Sequence, residues 1–235
     1  LLSTLSVVDL SKAVGTTTGN LNLNFNFDAN KIAYLAKNET LTLNYTIEVD
    51  DTNGGVTKQN FAIVITGTND PPLINVGVND SILGAFTDFG SLPGAALQDI
   101  SKGRLTFTDV DLTDQHTVAV VGALSPTTGT SPIAQSIVWQ SGGVNPNVIN
   151  LSSAQLAALH SVLDSALSVS IGTDSTGTGA GSLNWTFNAA DSNFSFLAQG
   201  ETLTVIYDVQ VTDSNNGNSN VVPVTITITG TNDAP

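Results

Sequence analysis

The sequence predicts an all-β protein built as a tandem of β-sandwich repeats, with one short helical insertion per repeat. Two observations carry this. The segment Val64-Ile65-Thr66-Gly67-Thr68-Asn69-Asp70-Pro71-Pro72 returns as Ile228-Thr229-Gly230-Thr231-Asn232-Asp233-Ala234-Pro235. Upstream, Leu35 and Leu197, Glu39 and Glu201, Tyr45 and Tyr207, and Asp51 and Asp213 stand 162 positions apart (201 minus 39, for example), with one extra residue before the second linker. Self-similarity at a fixed spacing is the mark of a repeat array. The alternating residues inside each copy then say what is repeated.

Leu21, Leu23, Phe25 and Phe27 alternate with polar residues, as do their partners Leu183, Trp185 and Phe187. Leu41, Leu43, Tyr45, Ile47 and Val49 follow, matched by Leu203, Val205, Tyr207, Val209 and Val211. A third set is Phe61, Ile63 and Ile65, matched by Val224, Ile226 and Ile228 against a Thr-rich outer side. Period two is the pattern of a half-buried antiparallel strand. Asn53-Gly54-Gly55 and Asn215-Asn216-Gly217 supply hairpin turns, because Asn and Gly accept positive φ cheaply. Only Asn150 to Leu167 breaks the pattern. Leu156, Leu159, Leu163 and Leu167 lie three or four apart, and Ser152 with Gln155 forms a capping box, so a short amphipathic helix is expected. Leu5-Ser6-Val7 matches Leu167-Ser168-Val169. The expected organisation is therefore the C-terminal half of a sandwich over 1–66, a linker over 67–72, a complete repeat over 73–229 and the start of a next linker over 230–235. Residues 1–66 are expected to leave part of an inner sheet face uncovered.

Composition limits the partners. Twenty acidic residues stand against six basic ones, a net charge of −14, and there is no Cys or Met. Nucleic acid and anionic membrane are poor partners for such a chain, since phosphate binding needs clustered Lys and Arg. Neither a disulfide nor a thiolate metal site can form. No apolar run reaches the length of a membrane span, so membrane insertion is not expected. Six basic groups cannot match twenty carboxylates, and acids that cluster need a cation from solution.

Strand polarity says which acids cluster. The last strand, near 221–229, runs toward the outgoing linker, so its hairpin partner, 202–212, delivers Asp213 to the opposite, leading end. A strand over 104–108 also finishes there and delivers Asp109 and Asp111. Asn69 and Asp70 of the linker join them, and Glu39 from the first copy faces the group. Like charges 4 Å apart repel by about 4 kcal/mol at an effective dielectric near 20. Solvated acids doing turn chemistry are the competing reading. The repeated linker and the converging polarity favour a hard divalent cation. Ca²⁺ takes about 6–8 oxygen ligands and tolerates irregular geometry, whereas Mg²⁺ demands a tight octahedron. His116 and His160 are the only histidines, and no Gly-x-Ser-x-Gly elbow accompanies them. His160 reads as a flank residue of the helix, and His116 as a minor contact to the acidic loop. Gly172 to Gly181 reads as a flexible loop and Trp185 as core, while the pattern leaves the role of Trp139 undecided between packing and stacking on a ligand.

Phe107-Thr108-Asp109-Val110-Asp111-Leu112-Thr113-Asp114, Gly200-Glu201-Thr202-Leu203-Thr204 and the Gly-Thr-Asn-Asp linker resemble the VCBS repeats of giant bacterial surface adhesins, in the broad RTX-type group. The resemblance spans 73–235 fully and 1–72 as the latter half of a repeat. Asp-x-Asp with an Asx-rich linker is also similar to the cadherin pattern. The resemblance implies an immunoglobulin- or cadherin-like sandwich, with calcium stiffening the domain junction through Glu39, Asn69, Asp70, Asp109, Asp111 and Asp213, and Asp114 as a weaker addition. It further implies secretion to the bacterial surface, a non-enzymatic role in adhesion and biofilm, and partners among neighbouring repeats and cell-surface or matrix polysaccharide or protein. The alternative expectation is a calcium-dependent carbohydrate-binding module.

Overall fold

The computed structural model describes residues 4–90, 97–121 and 134–233, and the chain divides into a unit ending at Asn69 and a second beginning at Asp70. The last two residues of the outgoing linker, 234–235, lie outside the described residues.

In the first unit β1 (Leu5–Ser11) pairs antiparallel with β2 (Asn20–Phe25), and β3 (Thr40–Asp50) pairs antiparallel with β4 (Val56–Thr66). Phe25 meets Tyr45 edge-on and Tyr45 stacks on Phe61, with ring centroids 6.5 and 5.6 Å apart. On the face expected to be uncovered, Val7, Leu10 and Val49 are exposed, and Tyr45 is only half-buried.

The second unit has the elements the first lacks. They are β5 (Leu73–Asn75), β6 (Leu83–Thr87), β7 (Gln98–Thr108), β8 (His116–Val121), β9 (Ala134–Gln140), β10 (Val148–Ile149) and α1 (Ser153–Leu163). Then come β11 (Leu167–Thr173), β12 (Ala180–Ala190), β13 (Thr202–Asp213) and β14 (Val222–Thr229). One sheet runs β11-β12-β7-β5. The other runs β10-β9-β13-β14-β6, with β8 also on β13, and only β6 on β14 is parallel. Leu105, Phe107, Leu183, Trp185 and Phe187 from the first sheet meet Val205, Tyr207, Val209, Val224 and Ile226 from the second in one buried cluster, the core of a β-sandwich. Gly103 and Gly181 lie in the strands beside these rings, where an added Cβ would come within 2.3 Å of Trp185 and of Phe107 respectively.

The two copies fold alike where they overlap. Leu5 pairs with Phe25 as Leu167 pairs with Phe187, and Thr40 pairs with Thr66 as Thr202 pairs with Thr229. The linker glycine is fixed in the same way in both. Gly67 N–H donates to the Glu39 carbonyl and Gly230 N–H to that of Glu201, each at 2.8 Å. A Cβ at either glycine would fall within 2.5 Å of a backbone oxygen.

The helix is shorter than its leucine spacing suggests. It ends at Leu163, and Leu167 instead opens β11, because Leu167, Val169 and Ile171 continue an alternating pattern that pairs with β12. The capping box forms as expected, with Gln155 N–H donating to Ser152 Oγ and Ser152 N–H to Gln155 Oε1. Leu159 and Leu163 are buried, while Leu156 lies at the margin. His160 is buried rather than flanking, with Nδ1 3.0 Å from Asp164 Oδ1. Strand β7 begins at Gln98, six residues before the expected start, because Asp99 to Gly103 pair with β12 as well.

Tyr207 joins the helix to the sheets, its buried hydroxyl donating to the Leu163 carbonyl at 2.8 Å. Tyr207→Phe keeps the ring and removes one of that carbonyl's two donors, the Ala166 N–H remaining at 3.0 Å. It should lower the unfolding free energy by about 0.5–1.5 kcal/mol, the net worth of one hydrogen bond. Urea denaturation followed by circular dichroism measures this.

Candidate metal centre

The leading end of the second unit is a box of carboxylates. Asp109 and Asp111 leave the end of β7, Asp114 and His116 lead into β8, and Asp213 ends β13. Asp109, Asp114 and Asp213 each offer an oxygen within 4.8 Å of the others, and all three side chains are buried. Among the described residues this is the one group of three or more His or acidic side chains that converges so closely. Asp111 is 1% exposed. Its Oδ2 accepts from the Asp70 N–H at 2.9 Å, while its Oδ1 has no hydrogen-bond partner among the described residues.

Local turns hold these groups in place. Asp213 Oδ1 accepts from the N–H groups of Asn215 and Gly217, at 2.8 and 2.7 Å, which closes the β13–β14 turn. Asp51 does the same for Asn53 and Gly55 in the first unit, so half of this carboxylate is committed to a hairpin in both copies. Asp114 accepts from Asn215 Nδ2 at 2.9 Å. Asp109 Oδ1 accepts from the Asp111 N–H at 2.9 Å.

His116 does more than make a minor contact. Its Nε2 lies 2.9 Å from Asp109 Oδ2 and its Nδ1 lies 2.6 Å from Asp174 Oδ1, with the imidazole fully enclosed. Burial alone would lower its pKa, but hydrogen bonds to Asp109 and Asp174 overcome this and raise it above the usual histidine value. The two carboxylates therefore favour the imidazolium form, in which both ring nitrogens donate. Ser175 Oγ lies 3.3 Å from Nδ1 and 3.5 Å from Nε2. Since a carboxylate already occupies each nitrogen, this hydroxyl packs over the ring and has no base to take its proton. Asp174 and Ser175 come from the segment expected to be a flexible loop. That segment is instead the tight turn between β11 and β12, whose Gly177 N–H donates to the Leu112 carbonyl at 2.7 Å.

Among the sequence-derived candidates, Asp70, Asp109, Asp111 and Asp213 share this end of the second unit. Asp114 is a full member of the converging trio. Glu39 and Asn69 belong to the first unit, where Glu39 Oε2 accepts from the Ala36 N–H at 3.0 Å. Its counterpart Glu201 accepts from the Ala198 N–H and also from Trp139 Nε1, each at 3.0 Å. Trp139, whose role the sequence leaves undecided, is half-buried, with its ring edge-on to Phe196 at 5.1 Å.

The charges do not balance from within. Asp70, Asp109, Asp111, Asp114, Asp174 and Asp213 gather at the end that holds His116, and among the described residues no Lys or Arg makes an ion pair with Asp70, Asp109, Asp111, Asp114 or Asp174. The donor set is all oxygen, partly pinned by backbone and irregular, which suits Ca²⁺ better than Mg²⁺ or a softer metal.

No protein-family model and no curated protein matches the chain. Solved structures similar to it in part are bacterial adhesins and pilin subunits. They include the sialic acid binding region of a Streptococcus sanguinis SK1 adhesin, 12% identical over 80% of this chain with a TM-score of 0.33; the chain spans 37% of that protein's length. AggA, the major subunit of aggregative adherence fimbriae type I from Escherichia coli, is 12% identical over 69% of this chain and 97% of its own, with a TM-score of 0.30. The CooA pilin subunit from enterotoxigenic Escherichia coli is 13% identical over 70% of this chain and 100% of its own, with a TM-score of 0.31. Likeness at this level carries no argument about function. No helix among the described residues is long and apolar enough to cross a membrane.

Burial, reinforced by the charges of Asp109, Asp70 and Asp114, pushes Asp111 up to about 6 from 3.8. Below pH 3.8 the folded and unfolded chains both hold this proton. Between 3.8 and 6 the unfolded chain releases it while the folded chain keeps it, so stability drains away as pH rises. In EGTA, the stability of the wild type relative to Asp111→Asn should fall across this window by on the order of 3 kcal/mol. Calcium should shrink the fall. Urea titrations at stepped pH measure both.

Proposed function

We propose that this chain is a calcium-stiffened structural and adhesive segment of a bacterial surface adhesin of the VCBS-repeat type, secreted and non-enzymatic. The observation that carries the proposal is the hydrogen bond from the Asp70 N–H to Asp111 Oδ2 at the edge of the Asp109–Asp114–Asp213 trio. The linker residue is thereby fastened to the carboxylates that a divalent ion would hold. Asp109, Asp114 and Asp213 would supply the central oxygens, and the unpartnered Asp111 Oδ1 a further one. Bound calcium would supply the positive charge this end lacks. The chain's own residues then do the mechanical work. Asp111 holds the Asp70 backbone, His116 locks Asp109 and the β11–β12 turn in place, and the hairpin of Asp213 fixes the third corner. With the carboxylates repelling one another, Asp70 is released and the linker at 67–72 swings. With them neutralised, it is held and the linker is stiff. A stiffened linker suits a structural segment that serves biofilm formation and adhesion. Neighbouring repeats of the same chain are its first partners, and cell-surface or matrix polysaccharide or protein lies beyond them.

Small-angle scattering of the chain in calcium and in EGTA tests this. The maximum dimension should be greater and better defined in calcium, and Asp109→Asn with Asp213→Asn should abolish the difference. Identical profiles in both buffers would refute the proposal.

A groove favours the second reading, a calcium-dependent carbohydrate-binding module. Phe196, 41% exposed, lines a cavity of about 290 Å³ with Gln155 and Asn193, an aromatic plate beside two amides. On that reading a glycan array of the chain gives signals that Phe196→Ala removes and EGTA suppresses. An array with no signal retires it.

A further inference from the structure

A second set of acids lies where neither the repeat motif nor the linker pattern points. Asp88 follows β6, Asp99 opens β7 and Asp191 follows β12 in the short 3-10 turn Asp191–Asn193. All three lie at the far end of the second unit, where β14 leaves for the outgoing linker. Asp88 N–H donates to the Thr229 carbonyl at 3.0 Å, and Asp191 N–H to the Leu97 carbonyl at 3.1 Å. Asp191 Oδ1 accepts from the Phe89 N–H at 2.8 Å, which ties the segment after β6 to the turn after β12.

Asp99 is the unusual member. It is 1% exposed, and neither carboxylate oxygen has a hydrogen-bond partner among the described residues. Asp88 is 4% exposed, and its Oδ1 is likewise without one. A buried carboxylate in this position is among the costliest side chains a fold can hold. Burial first, then the charges of Asp191 and Asp88, push Asp99 up to about 7. A proton does not resolve the conflict, since a neutral carboxyl group would bring an O–H donor with no acceptor to meet. No Lys or Arg makes an ion pair with these acids among the described residues. The bases of residues 70–235 are Lys102 and Arg104.

The geometry points to a second divalent-cation site, formed by Asp88, Asp99 and Asp191 at the outgoing end, with calcium as the fitting ion. A cation bound by Asp99 satisfies both of its oxygens and neutralises its neighbours, and the donors are again all oxygen. The three side chains do not converge within 4.8 Å as the leading trio does, so binding draws them inward and should be the weaker of the two. The site also belongs to this copy rather than to the repeat. The 162-residue offset places Ala29 where Asp191 stands, and Asp28 of the first unit spends its side chain capping Asn30.

Calcium bound per chain is counted by equilibrium dialysis and by calorimetry on the whole chain. Asp99→Asn with Asp191→Ala should bind one ion fewer than the wild type and lose the weaker calorimetric event, while keeping the stronger one. Asp109→Asn with Asp213→Asn should lose the stronger event and keep the weaker. An Asp99/Asp191 variant that binds as many ions as the wild type overturns this inference and leaves the leading site standing. An Asp109/Asp213 variant that binds as many as the wild type does the reverse. Circular dichroism checks the fold of each. Should the double variant unfold, Asp191→Ala alone, which copies the first unit's residue, should weaken the second event several-fold, and an unchanged event counts against the site.

Discussion

Buried negative charge without an internal partner is the constraint around which this molecule is organised. Residues 70–235 contain fourteen acids against two bases. The sandwich buries its apolar residues between the sheets, so the acids gather where strands end, and several are enclosed by the turns that close those ends. The ion pair of Lys58 with Glu48 is exposed and lies in the first unit, and such exposed pairs contribute little. His116, gripped by Asp109 and Asp174, returns a single positive charge. What remains unmatched sets the electrostatics of the whole unit.

Turn chemistry and ion chemistry share the same atoms here. Asp213 and Asp51 stand at equivalent positions and cap equivalent turns through Oδ1. Asp51 is exposed and has no further duty in sight, whereas Asp213 is buried beside Asp109 and Asp114. A residue needed for a hairpin thus comes to stand beside two further carboxylates where the strands around it enclose the same space. Both units keep the hairpin, and in the second unit the connection from β7 to β8 brings Asp109 and Asp114 beside it.

Much of this was legible in the sequence because period-two alternation and the repeat offset are strong signals. Leu203 to Val211 and Val224 to Ile228 fall in the expected strands, and the Ser152–Gln155 cap forms as expected. Strand polarity brought Asp109, Asp111 and Asp213 to one end. The helix end was misjudged because Leu167 fits a helical spacing and a strand alternation equally well, and the strand won by pairing with Phe187. Asp174 was missed because Gly and Thr around it read as flexible. The same polarity reasoning, carried one hairpin further, puts the β11–β12 turn beside Asp109, since Ala180 pairs with Thr108. Asp88, Asp99 and Asp191 carry no motif at all. Only three-dimensional enclosure distinguishes them from ordinary surface acids.

The central claim, that the Asp109, Asp114 and Asp213 carboxylates hold a divalent cation, is tested most directly by crystals of the chain grown in calcium. Anomalous difference density within about 2.3–2.6 Å of oxygens from all three side chains is the expected result. Well-ordered carboxylates contacting only water, with no such peak at saturating calcium, would contradict it.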